Sequence, residues 1–132
     1  MKIYKKIHKL GTLLVGYSLL KGLGMQNAIV LERILTEGNH AASHNLMTIQ
    51  GYFAIEVEET AYHLGISKNA VIDSINELAN CNLITAMQTN DGLHLLRINE
   101  DEITEYEYQI EKRGNYKSWC YRLPSIQDIF DV

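Results

Sequence analysis

Residues 57–84, VEETAYHLGISKNAVIDSINELANCNLI, decide how this chain folds. Val57, Ala61 and Leu64 fall at i, i+4 and i+7 and line one face of a short helix. Gly65 follows at once, where a sharp turn asks for a positive φ. Ile66 can plug the angle between two helices. Ser67 is a good N-cap, because its hydroxyl can accept from an early backbone N–H of the next helix. Val71, Ile75 and Leu78 then repeat at intervals of four and three, with Cys81 expected to continue the apolar stripe. Ala61 is small, as a close helix crossing requires. The opposite side of the second helix carries Lys68, Asn69, Ile72, Asp73 and Asn76. Asn82 suits the left-handed residue at which a helix stops. The spacing predicts two crossed helices joined by a glycine turn, a helix-turn-helix.

Working outward, the segment 84–99, ITAMQTNDGLHLLRIN, reads as two strands around Thr89-Asn90-Asp91-Gly92, and Asp-Gly is a strong hairpin signal. Upstream, Tyr52-Phe53-Ala54-Ile55 reads as a short strand. Strand, helix, turn, helix and hairpin in that order predict an α+β fold, a winged helix-turn-helix. An N-terminal extension and a C-terminal helix flank it.

In the extension, Leu13-Leu14-Val15 is expected to form a short strand. Ser18 is expected to cap a single turn, Leu19-Leu20-Lys21, closed by Gly22 and Gly24. Gln26 to Thr36 reads as a helix with Ala28, Leu31 and Leu35 on one face and Gly38 as its stop. Residues 39–50 read as polar and turn-rich. After the hairpin, Asn99 can cap a helix whose first turn holds Glu100, Asp101 and Glu102 and whose end holds Lys112 and Arg113, in keeping with the helix dipole. Ile103, Tyr106 and Ile110 form its apolar stripe, with Tyr108 more exposed. The remaining residues are dense in aromatics, among them Tyr116, Trp119, Tyr121 and Phe130. Three segments follow: a basic N-terminal arm and dimerisation segment over 1–24, the winged-helix domain over 25–99, and a C-terminal helix with an aromatic tail over 100–132.

With 46% apolar residues in 132, the chain can bury a core. Its apolar runs are too short to span a bilayer, so no membrane partner is expected. The basic start, MKIYKKIHKLGTLLVG, lacks the apolar stretch and cleavage site of a signal peptide. The two cysteines, Cys81 and Cys120, suit a reduced, cytoplasmic protein. Charge is unevenly placed. Residues 1–24 hold five lysines and no acid. Residues 25–99 hold three basic residues, Arg33, Lys68 and Arg97, against eight acids.

Chemistry of the catalytic kind is not expected. There is no Gly-rich phosphate loop, no nucleophile elbow and no carboxylate pair beyond a solvated face, so the chain reads as a non-enzyme without a cofactor. His40 and His44 have a zinc-compatible spacing only if helical, and Gly38-Asn39 point to a loop there, so no metal ligands are assigned.

The residues therefore point to double-stranded DNA as the partner. The second helix would enter the major groove with Lys68, Asn69, Asp73 and Asn76 facing base edges or phosphates, asparagine being suited to bidentate pairing with adenine. Asn90 at the wing tip would lie along the backbone or minor groove, and Lys5 and Lys6, with Lys2 and Lys9, would add phosphate contacts. One short reading helix gives little affinity, so a homodimer is expected. The alternative is a protein-interaction adapter on the same fold that does not touch DNA, its acidic core turned away from phosphates and its partner a replication or regulatory protein.

The chain also resembles a family. Ser18-Leu19-Leu20-Lys21-Gly22-Leu23-Gly24, then Ala28-Ile29-Val30-Leu31, Gly51-Tyr52-Phe53, Leu64-Gly65-Ile66-Ser67, residues 78–84 and Arg97-Ile98-Asn99 are similar in order to the N-terminal winged-helix domains of bacterial replication initiation proteins. These are the DnaD-type primosome proteins, phage replisome organisers and RepA_N-type plasmid initiators. The resemblance covers most of the chain. It implies a domain that binds origin DNA or self-associates, commonly as a dimer, in the replication or regulation of a bacterial plasmid, phage or other mobile element.

Overall fold

A computed structural model describes residues 16–89 and 93–114. Two helices come first, α1 (Tyr17–Leu23) and α2 (Met25–Ser43). Strand β1 (Tyr52–Ile55) leads into α3 (Val57–Leu64) and α4 (Lys68–Asn80). The hairpin strands β2 (Ile84–Gln88) and β3 (His94–Ile98) precede α5 (Glu100–Gly114). The sheet has three antiparallel strands in the order β1-β3-β2. Tyr52 pairs with Arg97 on one side of β3, and Ile84 pairs with Ile98 on the other. This is the α+β winged helix-turn-helix that the sequence predicts, with an N-terminal extension and a C-terminal helix around it.

α2 runs through the middle of the core. Its Ala28, Val30, Leu31 and Ile34 are shut from solvent together with Val71, Ile75 and Leu78 of α4 and with Phe53, Ile84 and Leu96 of the sheet. Removing such side chains from water is the main favourable term in folding, worth about 1.5–3 kcal/mol for each fully buried aliphatic or Phe side chain.

Three local expectations are corrected. α2 does not stop at Gly38 but continues to Ser43, so His40 lies in a helix and not in a loop. Gly38 is buried, and a Cβ placed on it would sit 2.5 Å from Ile98 Cδ1 and 3.2 Å from two ring atoms of Phe53. The glycine is there for the close approach of helix to sheet. α1 is a seven-residue helix and not a single turn. Its N-cap is Gly16, while the Ser18 hydroxyl donates instead to Glu111 Oε1 at 3.1 Å. Cys81 is exposed and does not extend the core stripe, because α4 ends at Asn80 and Asn82 takes φ 62°. The expected strand at residues 13–15 and the aromatic tail lie outside the described residues.

α5 packs back on α1, and its Glu107 comes near Glu32 of α2. Ile103 is buried, and Ile110 and Tyr106 close over Gly22. Its start is tied to the turn between α4 and β2, where the Asn99 side-chain amide donates to the Asn82 carbonyl at 2.8 Å. One part of this seam is unfavourable. Burial of Glu32 on α2, and then the Glu107 carboxylate on α5, push the Glu32 pKa up. Burial and then Glu111 push Glu107 up as well. The folded state therefore holds protons at these sites more tightly than the unfolded chain. Their stabilising contribution is complete below the ordinary carboxylate range and is lost as pH rises through the raised folded-state values. Glu32→Gln is accordingly expected to raise the thermal midpoint at about pH 7, with the gain fading towards about pH 4. Melting curves across that range check it, and a variant that is less stable at neutral pH would contradict the account.

Candidate functional site

The turn between α3 and α4 is built as its sequence requires. Gly65 takes φ 69° and ψ 29°, the left-handed conformation that costs glycine little. The Gly65 N–H donates to the Tyr62 carbonyl at 3.3 Å, and the Ile66 N–H to the Ala61 carbonyl at 3.1 Å. Ser67 caps α4, its hydroxyl accepting from the Ala70 N–H at 3.1 Å. Losing such a cap typically costs about 1 kcal/mol. At the start of α3, by contrast, Glu56 makes no side-chain cap bond.

The result is a helix with two distinct sides. Val71, Ser74, Ile75 and Leu78 are buried, while Lys68, Asn69, Asp73 and Asn76 are all exposed. Asn69, Asp73 and Asn76 follow i, i+4, i+7 spacing and so lie in one row. Helical rise puts Asn69 and Asn76 roughly 10 Å apart along the axis. Ile72 is partly buried against the core and does not share that open face. Lys68 stands to one side, its Nζ 3.2 Å from Glu58 Oε1 on α3.

Two flanks border the row. On the Lys68 side a cleft of about 430 Å³ lies between the starts of α3 and α4 and the wing, lined by residues that include Glu56, Glu58, Ile72, Gln88 and His94. On the other side stands the beginning of α2. Gln26 Nε2 donates to the Ala70 carbonyl at 3.2 Å and to Ser74 Oγ at 3.0 Å, and Asn27 Nδ2 donates to Glu77 Oε2. No sequence signal placed Gln26 and Asn27 beside α4, since the contacts join residues far apart in the chain.

The wing closes where Thr89 donates through both its N–H and its hydroxyl to the Leu93 carbonyl, at 2.9 and 3.1 Å. Asn90 at the wing tip, and Lys5 and Lys6 of the basic arm, lie outside the described residues. Arg97 is engaged within the sheet, donating to Thr85 Oγ1 at 3.2 Å with its guanidinium 5.1 Å from the Tyr52 ring centroid. Arg33 pairs with Glu37. His40 and His44 stack with ring centroids 4.1 Å apart. Among the described residues no cluster of three or more His, Cys, Asp or Glu could hold a metal ion. No helix among them is long and apolar enough to cross a membrane.

The second helix of the helix-turn-helix thus carries an open polar row beside a three-stranded sheet. The fold is similar to that of the N-terminal domain of a DNA-binding protein. The two structures superpose with a TM-score of 0.55 at 18% sequence identity, over 84% of this chain and 92% of that one. At this identity the likeness is one of fold. No protein-family model and no curated protein sequence matches the chain.

Proposed function

We propose that this protein binds double-stranded DNA, with α4 in the major groove. The observation that carries the proposal is the exposed row Asn69, Asp73 and Asn76 on a capped helix whose other side is locked into the core. The spacing of roughly 10 Å from Asn69 to Asn76 corresponds to about three base-pair steps. Asparagine can pair bidentately with adenine, and aspartate can accept from the cytosine amino group. Lys68 would exchange Glu58 for a phosphate. Asn90 on the wing and Lys5 and Lys6 on the arm would meet the backbone, the two lysines adding to the single positive charge that α4 offers in Lys68. The fold's likeness to a domain of a DNA-binding protein supports this reading. The protein would act as a homodimer and without enzymatic chemistry, in the replication or regulation of a bacterial mobile element.

A salt-titrated binding assay on random duplex tests the proposal. Each phosphate neutralised contributes a slope of about −0.9 in log K against log salt. The triple variant Lys5→Ala, Lys6→Ala, Lys68→Ala is expected to flatten the slope by about three such contacts and to abolish most binding near physiological salt. One observation favours a second reading. Lys68, the cation on the open side of α4, is already paired with Glu58, and acids outnumber bases eight to three over residues 25–99. That balance suits an adapter that docks a replication or regulatory protein. Absence of duplex binding even at low salt would select the adapter.

A further inference from the structure

Ser74 is the polar residue in the apolar row that α4 turns inward, and it is fully buried among Val71, Ile75 and Leu78. A buried hydroxyl without a partner is costly. Its partner is Gln26 at the start of α2, whose Nε2 lies 3.0 Å from Ser74 Oγ and 3.2 Å from the Ala70 carbonyl. The two protons of one amide group thus hold α4 at two points a turn apart, one of them on the backbone. Asn27 extends the grip a turn further through Glu77, and its Nδ2 also reaches the Leu23 carbonyl at the end of α1 at 3.4 Å. Ala70, Ser74 and Glu77 each follow Asn69, Asp73 and Asn76 by one residue, so the clasp runs along the edge of the open row.

We infer that Gln26 is a positioning residue that sets the rotation of α4 about its own axis, and with it the direction in which Asn69, Asp73 and Asn76 point. Val71, Ile75 and Leu78 hold α4 against the core by apolar contact, which is non-directional. A hydrogen bond to a backbone carbonyl is directional and resists rolling. Bidentate pairing tolerates misalignment of only about 10–20°, so a small roll would lose base recognition while leaving phosphate contacts in place. The inference rests on the DNA reading for its consequence, but the rotation itself can be measured without DNA.

The test uses the full chain with Gln26→Glu, nearly the same shape, and with Ser74→Ala as a second variant that keeps the core packed. In Gln26→Glu a carboxylate oxygen faces the Ala70 carbonyl and cannot donate to it. Backbone residual dipolar couplings report the orientation of α4 relative to α2. The expected result is a reorientation of about 10° or more in Gln26→Glu and a smaller one in Ser74→Ala, which retains the carbonyl contact. On DNA, a duplex selected from a random pool is compared with random duplex. Gln26→Glu is expected to lower the ratio of selected to random affinity about tenfold without changing the salt slope. Couplings in Gln26→Glu that match those of the unaltered protein would overturn the inference. If the unaltered protein binds no duplex while the couplings do shift, the DNA reading fails and the clasp stands.

Discussion

Gly38→Leu is expected to lower the free energy of unfolding by about 3 kcal/mol or more. The glycine lies inside α2, where a better helix former would gain up to about 1 kcal/mol on an open surface. Here the added carbon meets Ile98 Cδ1 at 2.5 Å and the Phe53 ring at 3.2 Å. Ile98 can move its terminal methyl a little. Phe53 is 2% exposed, and its backbone is held to β3 opposite Leu96. A leucine must therefore push α2 off the sheet. Gly38→Ala separates the two terms, since its methyl regains helix propensity and demands only part of the space. Its expected loss is about 1 kcal/mol. Urea denaturation of the two variants checks both values. A Gly38→Leu protein as stable as the parent would mean that α2 and the sheet are not in contact there.

The second large effect concerns recognition. The double variant Asn69→Ala, Asn76→Ala is expected to lose about tenfold to a thousandfold in affinity for a selected duplex, each bidentate contact being worth about 1–3 kcal/mol of discrimination and real sets falling short of additivity. Binding to random duplex should change by much less, because phosphate contacts carry it. Both side chains are exposed on a helix whose stability comes from its other face, so melting should be nearly unchanged. Competition binding with selected and random duplexes reads the difference. Equal losses on both would show that the asparagines do not read bases.

The helix-turn-helix was legible because its signals are local. Gly65, Ser67 and the Val71–Ile75–Leu78 spacing act within a few residues of one another, and the structure places them as the pattern demands. The open side of α4 followed from the same periodicity except at Ile72, which packs partly against the core. What could not be read depends on contacts between distant segments. A glycine that ends a helix and one that lets a sheet approach look alike in sequence, and only Phe53 and Ile98 reveal which Gly38 is. Cys81 keeps the apolar rhythm of α4, yet the helix stops one residue before it and the side chain turns to solvent. Gln26 and Asn27 look like ordinary polar residues at a helix start, and their role appears only once α2 lies beside α4. Likewise the pairing of Lys68 with Glu58 joins two helices and alters the electrostatics of the candidate site.

The central claim is that the open face of α4 meets duplex DNA. An NMR titration with duplex at low salt tests it most directly, by following each backbone and asparagine side-chain amide. The account predicts that the largest shifts fall on residues 68–76, with Asn69 and Asn76 side-chain amides moving together with the wing. Shifts confined to other surfaces, with the Asn69–Asp73–Asn76 row silent under saturating duplex, would contradict it.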